Sequence, residues 1–272
     1  DVTKTFLQYS DSIFIEEKKL FDDCGQIISA IDNETSCVVL QNPSFFGELI
    51  DISSVAKACN DAGALLIVVV TEVISLGSLQ SPGELGADIV VAEGQSLGNP
   101  LNFGGPYLGL FATKKKFVRQ MPGRIVGLSN DIEGDRGYVL TLSTREQHIR
   151  REKATSNICT NSGLCSLAFT VHLALLGEAG LKKLALINHQ KALILAEKLC
   201  SIPDVQLLNS FFFNEFTIKL PVPSDKLVET FAKNKILAGI PLSRFYPNSL
   251  DLSNLLLVAA TELTSKDDID IF

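Results

Sequence analysis

The sequence predicts an α/β fold, and two patterns carry that prediction. Residues 64–70 read ALLIVVV and are apolar at every position, which is typical of a strand buried on both faces of a parallel sheet. Just before it, apolar residues recur at helical spacing from 51 to 62, with Asp51 or Ser53 as N-cap and Gly63 as the stop. Strands and helices alternate in this way in sheets covered by helices. The other elements predicted here are strands at 36–41, 87–92 and 107–112 and a basic helix at 114–120.

A second, smaller domain of the α+β class is predicted for the C-terminal part. Residues 181–200 carry apolar side chains in an amphipathic pattern, which predicts a long helix that bridges two domains. The elements predicted after it are strands at 205–208, 213–220 and 255–261, a helix at 224–233 capped by Ser224, and a helix that opens at Ser265 with a Ser-x-x-Asp box. We therefore expect a large domain over 1–177, and the bridging helix with a small domain over 178–272.

Composition excludes several classes of protein. Apolar residues make up 46% of the 272 residues, which is enough for a packed core and excludes a disordered chain. The longest apolar run, at 163–176, is interrupted by polar side chains and is shorter than the ~18 residues of a membrane span, so no transmembrane segment is expected. Six cysteines without C-x-x-C spacing indicate reduced thiols in the cytoplasm rather than disulfides or a zinc site. A net charge of −7 argues against nucleic-acid binding. The sequence also contains no pair of carboxylates at a spacing that indicates a metal site.

The loop at 93–109, EGQSLGNPLNFGGPYLG, is rich in glycine. Neither a Walker motif nor G-x-G-x-x-G is present in it. The glycines allow a backbone to approach a ligand or a neighbouring chain closely, and an ordinary tight connection explains them equally well.

A basic segment, TREQHIRREKATSNICTN at 144–161, stands out in this acidic chain. A cation, two hydroxyls and successive backbone amides are grouped at Lys153-Ala154-Thr155-Ser156-Asn157, which is suitable equipment for a phosphate. The alternative is solvated charge, with Glu146 and Glu152 pairing some of the cations. A Cys159–His148 nucleophilic pair is a weaker hypothesis, because nothing in the sequence orients it and His148 is better suited to a neutral hydrogen-bonding role.

The same segment carries a family resemblance. Together with QNPSFFGELIDI, SPGELGADIVVAEGQSLGNPLNFGGPYLGLFATKKKFVRQMPGR, FFNEF and TELTSKDDID, it strongly resembles the glycine decarboxylase (P-protein) family of the glycine cleavage system, in particular subunit 1, the alpha-type chain. The resemblance runs nearly from end to end and implies that the family's N-terminal portion is absent here. It also implies a fold-type I pyridoxal-phosphate (PLP) architecture: a large domain with a mostly parallel sheet, a small C-terminal α+β domain, and an active site at a subunit interface.

The sequence departs from the family at the position of the cofactor-binding lysine. By the resemblance, that lysine follows the strand at 87–92, where this chain has Ser96, and no lysine occurs between Lys57 and Lys114. The acidic partner of the pyridine nitrogen maps to Glu72, where relatives more often carry aspartate. Because a hydroxyl cannot form an imine with an aldehyde, we expect no covalent PLP on this chain and no catalytic residue acting alone.

The resemblance therefore implies a subunit that completes its partner's site. The lysine-bearing beta-type subunit would hold PLP, within a heterotetramer. PLP acts there as electron sink while glycine loses CO2, and the aminomethyl group passes to the lipoyl arm of the H-protein. Residues Thr155, Ser156 and Asn157 would reach the partner's PLP phosphate. An electropositive interface would include His148, Arg150, Arg151 and Lys153, with Gly104 and Gly105 allowing close approach of the chains. The alternatives are a structural or regulatory scaffold, and an autonomous PLP enzyme that uses Lys114 or Lys153.

Overall fold

The computed structural model describes residues 2–7, 24–154 and 162–272. Its α-helices are α1 (Val2–Leu7), α2 (Cys24–Ser29), α3 (Ile52–Ala62), α4 (Gln147–Arg150), α5 (Gly163–Cys200), α6 (Ser224–Lys233) and α7 (Lys266–Ile271). Its strands are β1 (Cys37–Gln41), β2 (Leu65–Val70), β3 (Ile89–Glu93), β4 (Gly109–Thr113), β5 (Ile125–Asn130), β6 (Arg136–Thr141), β7 (Gln206–Leu207), β8 (Glu215–Lys219), β9 (Ile240–Pro241) and β10 (Leu255–Ala259).

The main sheet has the order β1-β2-β3-β4, and its first three strands are parallel. Strand β4 returns antiparallel to β3. Along β2, Leu66, Val68 and Val70 are almost fully buried, whereas the residues between them are partly buried. The expectation of a strand buried on both faces holds fully for one face of β2, whereas the other face is only partly covered.

Helix α3 covers the buried face of this sheet. Its N-cap is Asp51, whose carboxylate accepts hydrogen bonds from the amides of Ser53 and Ser54, and it ends at Gly63 in the left-handed conformation. Val55 and Cys59 on one side of the helix are buried against the apolar side chains of β1 and β2. The helical spacing and both ends of this helix were predicted correctly.

A second sheet, of order β7-β8-β10-β9, is antiparallel throughout. The C-terminal half of α5 packs on it, and Leu195 and Leu199 share a core with Phe216, Ile218 and Leu256. The antiparallel sheet and its helix are the kinds of element expected of an α+β unit, and a separate small domain over 178–272 stays a prediction. The capping box at the start of α7 is confirmed, because Ser265 and Asp268 bond each other's backbone amides.

The cap assigned to α6 was wrong. Pro223 occupies the N-cap position, and Ser224 is fully buried with its hydroxyl donating to the carbonyl of Ser253. The serine therefore ties the helix to the loop before β10 instead of capping it.

The segment at 114–120 also differs from its prediction, because it holds a short 3-10 turn, Lys115–Phe117, rather than a helix. Lys114 is held at the sheet by bonds to the carbonyl of Gly86 and the carboxylate of Asp88. The Pro122 that follows disfavours helical geometry before it. The hairpin formed by β5 and β6 was not predicted at all.

Helix α5 is longer than the sequence indicated, at 38 residues, and it kinks at Gly177, where φ is 61° and ψ is −175°. By length and composition it could cross a membrane, so the exclusion based on a short apolar run does not hold for this helix. Core helices of soluble proteins can have the same length and apolar composition. The two halves of α5 differ in their surroundings. The C-terminal half is buried in the second core, while the N-terminal half exposes a row of apolar side chains formed by Leu164, Leu167, Val171 and Leu175.

Candidate functional site

Two polar residues meet at the carboxyl edge of the main sheet. Glu72 follows β2 and Ser96 follows β3, and because these strands are parallel their ends lie side by side. The Ser96 hydroxyl donates a hydrogen bond of 3.0 Å to Oε1 of Glu72. The same oxygen accepts the amide of Ile74 at 3.0 Å, which caps the 3-10 turn after β2. The two positions singled out in the sequence are thus direct neighbours.

The electrostatics of this edge are acidic. Burial raises the pKa of Glu72 above its usual value, although hydrogen bonds from Ile74, Ser96 and Asn214 act in the opposite direction, and the charge of Glu262 adds to the increase. Burial and the charge of Glu72 also raise the pKa of Glu215. Among the described residues, no lysine or arginine forms an ion pair with Glu72. The edge therefore favours protonated carboxyl groups over bound anions.

Three residues around this edge, Asn188, Glu215 and Glu262, carried little signal of a functional role in the sequence. Asn188 of α5 is fully buried and donates from Nδ2 to Oε2 of Glu262 at 2.7 Å, while its Oδ1 has no hydrogen-bond partner among the described residues. Glu215 comes from β8. These residues are far apart in the sequence, and the only available signal was a polar Asn188 within an amphipathic helix. The neighbouring His189 contacts the carbonyl of Phe213 at 2.7 Å and stacks on its ring, so it has a packing role.

The glycine-rich loop contains one position with a clear packing role. A Cβ on Gly98 would lie 2.7 Å from the carbonyl oxygen of Ala168 and 2.8 Å from Cβ of His172, so only glycine lets α5 cross the loop this closely. By contrast, Gly104 has a φ of +125° and open space where a Cβ would stand, and Gly105 has a φ of +110°. Their predicted role in contacts between chains stays a prediction.

The described part of the basic segment, up to Ala154, folds as short helical turns. The guanidinium of Arg145 is buried and donates to the carbonyls of Met121 and Gly123. Arg150 donates from Nε to the carbonyl of Thr144 at 3.0 Å. A polar cavity at this point is lined by Arg119, Leu142, Thr144, Arg145, Arg150 and Lys153.

The remaining predicted residues of this segment are distributed differently. His148 and Arg151 are exposed and do not line the cavity. Thr155, Ser156, Asn157 and Cys159 lie outside the described residues, so their phosphate and nucleophile roles stay predictions. Arg119 and Arg145 were not predicted to work together, because the turn after β4 and the turn after β6 meet only in the folded chain.

Comparisons with known proteins place this geometry in a family. The family model described as glycine cleavage system P-protein matches residues 1–272. The chain therefore belongs to the glycine cleavage system P-protein family. A relative from Rhodospirillum centenum, named probable glycine dehydrogenase (decarboxylating) subunit 1, is 62% identical over 248 residues, which are 91% of this chain and 55% of the relative. The chain thus spans little more than half the length of this curated relative.

Solved structures agree with this membership. A crystal structure of glycine decarboxylase (P-protein), in inhibitor-bound form, matches 89% of this chain and 54% of that chain at 44% identity, with a TM-score of 0.81. A C-DES variant described with glycine covalently linked to the PLP cofactor matches 92% of this chain and 62% of that chain at 14% identity, with a TM-score of 0.60. At that identity the likeness shows the fold alone, and the fold is that of the fold-type I PLP-dependent enzymes, as predicted.

The residues of this P-protein family member do not fit a covalently held PLP. The hydroxyl of Ser96 is engaged by Glu72 and has no amine with which to bond an aldehyde. Among the described residues, no lysine or arginine pairs with Glu72, and the charged side chains that act on it or respond to it are the carboxylates of Glu262 and Glu215. Among the residues the structure describes, no group of three His, Cys, Asp or Glu side chains could hold a metal ion.

Proposed function

We propose that this chain is the non-lysine-bearing subunit of the PLP-dependent glycine decarboxylase of the glycine cleavage system. With a beta-type subunit it would decarboxylate glycine, release CO2 and transfer the aminomethyl group to the lipoyl arm of the H-protein. The observation that carries the proposal is the hydrogen bond of 3.0 Å between Ser96 and Glu72, at the sheet edge where the resemblance expects a lysine. The relatives named subunit 1 support the assignment to one chain of a divided enzyme.

The cofactor in this proposal is held covalently by the partner subunit. Thr155, Ser156 and Asn157 would contact its phosphate, while His148, Arg150, Arg151 and Lys153 would make the interface electropositive. The position of Arg150 and Lys153 at one cavity supports the electropositive interface. We propose a cytoplasmic heterotetramer of two alpha-type and two beta-type chains.

The exposed apolar row on the N-terminal half of α5 supports assembly with another protein surface. Its side chains are 50% to 84% exposed, which is unusual for a contiguous helix face on a free subunit. Covering such a row with protein removes it from water without requiring a membrane. The kink at Gly177 also supports a domain boundary between residues 177 and 178, because the helix changes from the exposed row to the buried core at that point.

Reconstitution tests the proposed activity. Co-purified with a beta-type subunit and lipoylated H-protein, the chain should give glycine-dependent exchange of labelled CO2, whereas neither subunit alone should do so. A Thr155→Val variant should raise the PLP concentration needed for half-maximal activity, and the exposed Thr230→Val serves as a matched control. Wild-type PLP affinity in the Thr155→Val complex would contradict the contact across the interface.

Two alternatives have different outcomes in the same assay. A structural scaffold would assemble with the beta-type subunit, and substitutions at Thr155, Asn157 and His148 would leave activity unchanged. An autonomous PLP enzyme would need a misplaced lysine, such as Lys114 or Lys153, and borohydride reduction would then attach PLP to this chain without its partner. Nζ of Lys114 donates hydrogen bonds to the carbonyl of Gly86 and the carboxylate of Asp88, which disfavours Lys114 as the lysine that binds PLP.

A further inference from the structure

The hairpin formed by β5 and β6 presents apolar side chains to water. In the register of the two strands, Val126 lies opposite Leu140 and Leu128 lies opposite Tyr138, so all four side chains share one face of the ribbon. They are 58% to 72% exposed. The solvated face of an antiparallel ribbon normally carries polar residues. The polarity of this hairpin is therefore inverted, and we call its exposed apolar face the hairpin strip.

The rest of the hairpin offers little to stabilise it. On the opposite face, Ile125, Gly127 and Thr141 are partly buried, and Val139 is 49% exposed. Among the described residues, no third strand pairs with β5 or β6. A lone two-stranded ribbon is only marginally stable in water, and apolar side chains exposed on it add to the cost of leaving it free. Covering the hairpin strip would therefore stabilise the ribbon.

The tip of the hairpin is an acidic turn with a fixed shape. Oδ1 of Asp131 accepts hydrogen bonds from the amides of Glu133 and Asp135, both at 2.9 Å. Ile132 is fully exposed in this turn. The three carboxylates at 131, 133 and 135 are opposed by a single neighbouring cation, Arg136, so the tip is negative.

The base of the hairpin has the opposite charge. Arg124 directly precedes β5, and Arg119 lies beside Leu142, which directly follows β6. Both arginines are exposed. Among the described residues, neither these arginines nor the acidic residues of the tip form an ion pair. Uncompensated charges of opposite sign thus lie at the two ends of one ribbon, with the hairpin strip between them.

A second copy of this chain has the surface that fits this face. When two hairpins are related by a two-fold axis and run antiparallel, strip meets strip, and the acidic tip of each copy lies at the basic base of the other. Burial of the strips supplies the free energy. The exposed charges add little to it, but they set the orientation, because a parallel arrangement would place acids against acids and arginines against arginines.

We propose that the hairpin strip is a self-association surface through which two copies of this chain form an antiparallel, two-fold symmetric contact. The contact goes beyond the proposed function and does not depend on it. Within the proposed heterotetramer it would join the two alpha-type chains. A standard interface uses about 20 to 30 residues from each partner, and the hairpin offers fewer. We therefore expect a weak dimer, with a dissociation constant on the order of 10 μM.

The first experiment measures sedimentation velocity of the full chain over a series of concentrations. The wild type should show a reversible monomer–dimer equilibrium. Leu128→Ser should raise the dissociation constant about tenfold, because it places a polar group in the centre of the strip. Leu167→Ser on α5 is the matched control, since that leucine is 59% exposed and Leu128 is 63% exposed. It should leave the constant within about twofold of the wild type. Far-ultraviolet circular dichroism checks that both variants retain the fold.

Three results of this experiment would overturn the proposal. The first is a monomer at every concentration up to about 100 μM, which is ten times the expected constant. The second is an equal loss of association in the Leu128 and Leu167 variants, and the third is a loss in the Leu167 variant alone. In the last two cases the association would involve α5 or a general loss of solubility instead of the hairpin.

Charge reversal tests the antiparallel arrangement. Arg124→Glu should raise the dissociation constant about fivefold at low ionic strength, because the base of each copy then repels the acidic tip of the other. Adding Glu133→Arg to that variant should restore the constant to within about twofold of the wild type. Arg244→Glu, which changes an exposed arginine of the second sheet region, should have no such effect. Failure of the second substitution to restore association would contradict the contact between tip and base.

The beta-type subunit is the rival occupant of the strip, and the same variants distinguish it. Under our proposal, Leu128→Ser weakens self-association while the binding of a beta-type subunit, measured by calorimetry, changes by less than about twofold. If self-association is unchanged and binding of the beta-type subunit is weakened instead, that subunit covers the strip and the proposal is wrong.

Discussion

The two ends of the main sheet shift the pKa of a carboxyl group in opposite directions. At the amino end, Asp88 accepts the amide of Leu66 at 3.1 Å and pairs with Lys114 at 2.9 Å and Lys116 at 3.5 Å. Burial raises the pKa of Asp88, but the two lysines and the Leu66 amide outweigh it, and the pKa is lowered overall. At the carboxyl end, Glu72 has a serine hydroxyl and further carboxylates as neighbours, and its pKa is raised.

Asp88 is a structural carboxylate whose charge is neutralised by lysines, whereas among the described residues no cation neutralises the charge of Glu72. The ion pairs of Asp88 with Lys114 and Lys116 hold the start of β3 to the end of β4. Asp88 therefore stabilises the fold. Glu72 costs stability at neutral pH, because its charge is partly desolvated without a cation beside it. Sites where stability is sacrificed are common at functional positions, which agrees with the proposed place of Glu72 in a functional sheet edge.

The largest effect expected from this comparison is at the amino end. Asp88→Asn should lower the free energy of unfolding by about 2 kcal/mol at neutral pH, because it leaves the lysines without their carboxylate while keeping an acceptor for Leu66. Urea denaturation measures the loss, and the exposed Asp61→Asn is the control. Since the folded pKa of Asp88 lies below 3.8, its contribution is present above that pH and is lost as the pH falls through the folded value. Equal free energies of unfolding for Asp88→Asn and Asp61→Asn would contradict the stabilising role of Asp88, and with it the contrast to Glu72.

A smaller effect of opposite sign is expected at the carboxyl end. Glu72→Gln should raise the free energy of unfolding by about 1 kcal/mol at neutral pH, because the amide oxygen can still accept from Ile74 without a desolvated charge. The folded pKa of Glu72 lies above 4.5, so stability is fully present below 4.5 and is lost as the pH rises through the folded value. The gain from Glu72→Gln should therefore grow with pH and disappear in acid. Denaturation as a function of pH tests this, with the exposed Glu84→Gln as control; a gain independent of pH would contradict the assignment.

The smallest effect concerns the hydroxyl beside Glu72. Ser96→Ala should destabilise the chain by about 0.5 kcal/mol, because it removes one hydrogen bond to a partly buried carboxylate. It should also raise the pKa of Glu72 further, which carbon-detected NMR titration of that carboxyl group measures. In the Glu72→Gln background the same substitution should cost less at neutral pH. An identical cost in both backgrounds would mean that the two side chains are not coupled.

Local patterns predicted much of the fold. The helix from Ile52 to Ala62 was predicted with its caps because Asp51 and Gly63 act through neighbouring backbone groups. The capping box at Ser265 is local in the same sense. Ser224 was misread because its hydroxyl bonds to Ser253, a partner that no nearby residue indicates.

The candidate site shows the same limit. The pairing of Glu72 with Ser96 could be anticipated, since both follow parallel strands and the family resemblance marked both positions. The roles of Asn188 and Glu215 could not, because α5 and β8 reach the edge only through tertiary packing. In the basic segment, the burial of Arg145 could not be predicted, because it depends on the carbonyls of Met121 and Gly123 from another turn.

The apolar row on the N-terminal half of α5 has a consequence for how such a protein is produced in a cell. Leu164, Leu167, Val171 and Leu175 present a water-exposed strip wherever the chain lacks a covering surface. An excess of this chain over its binding partner would then be prone to self-adhesion and to capture by chaperones and proteases. Balanced synthesis of the two polypeptides, rather than the intrinsic stability of either, would set the amount of usable protein.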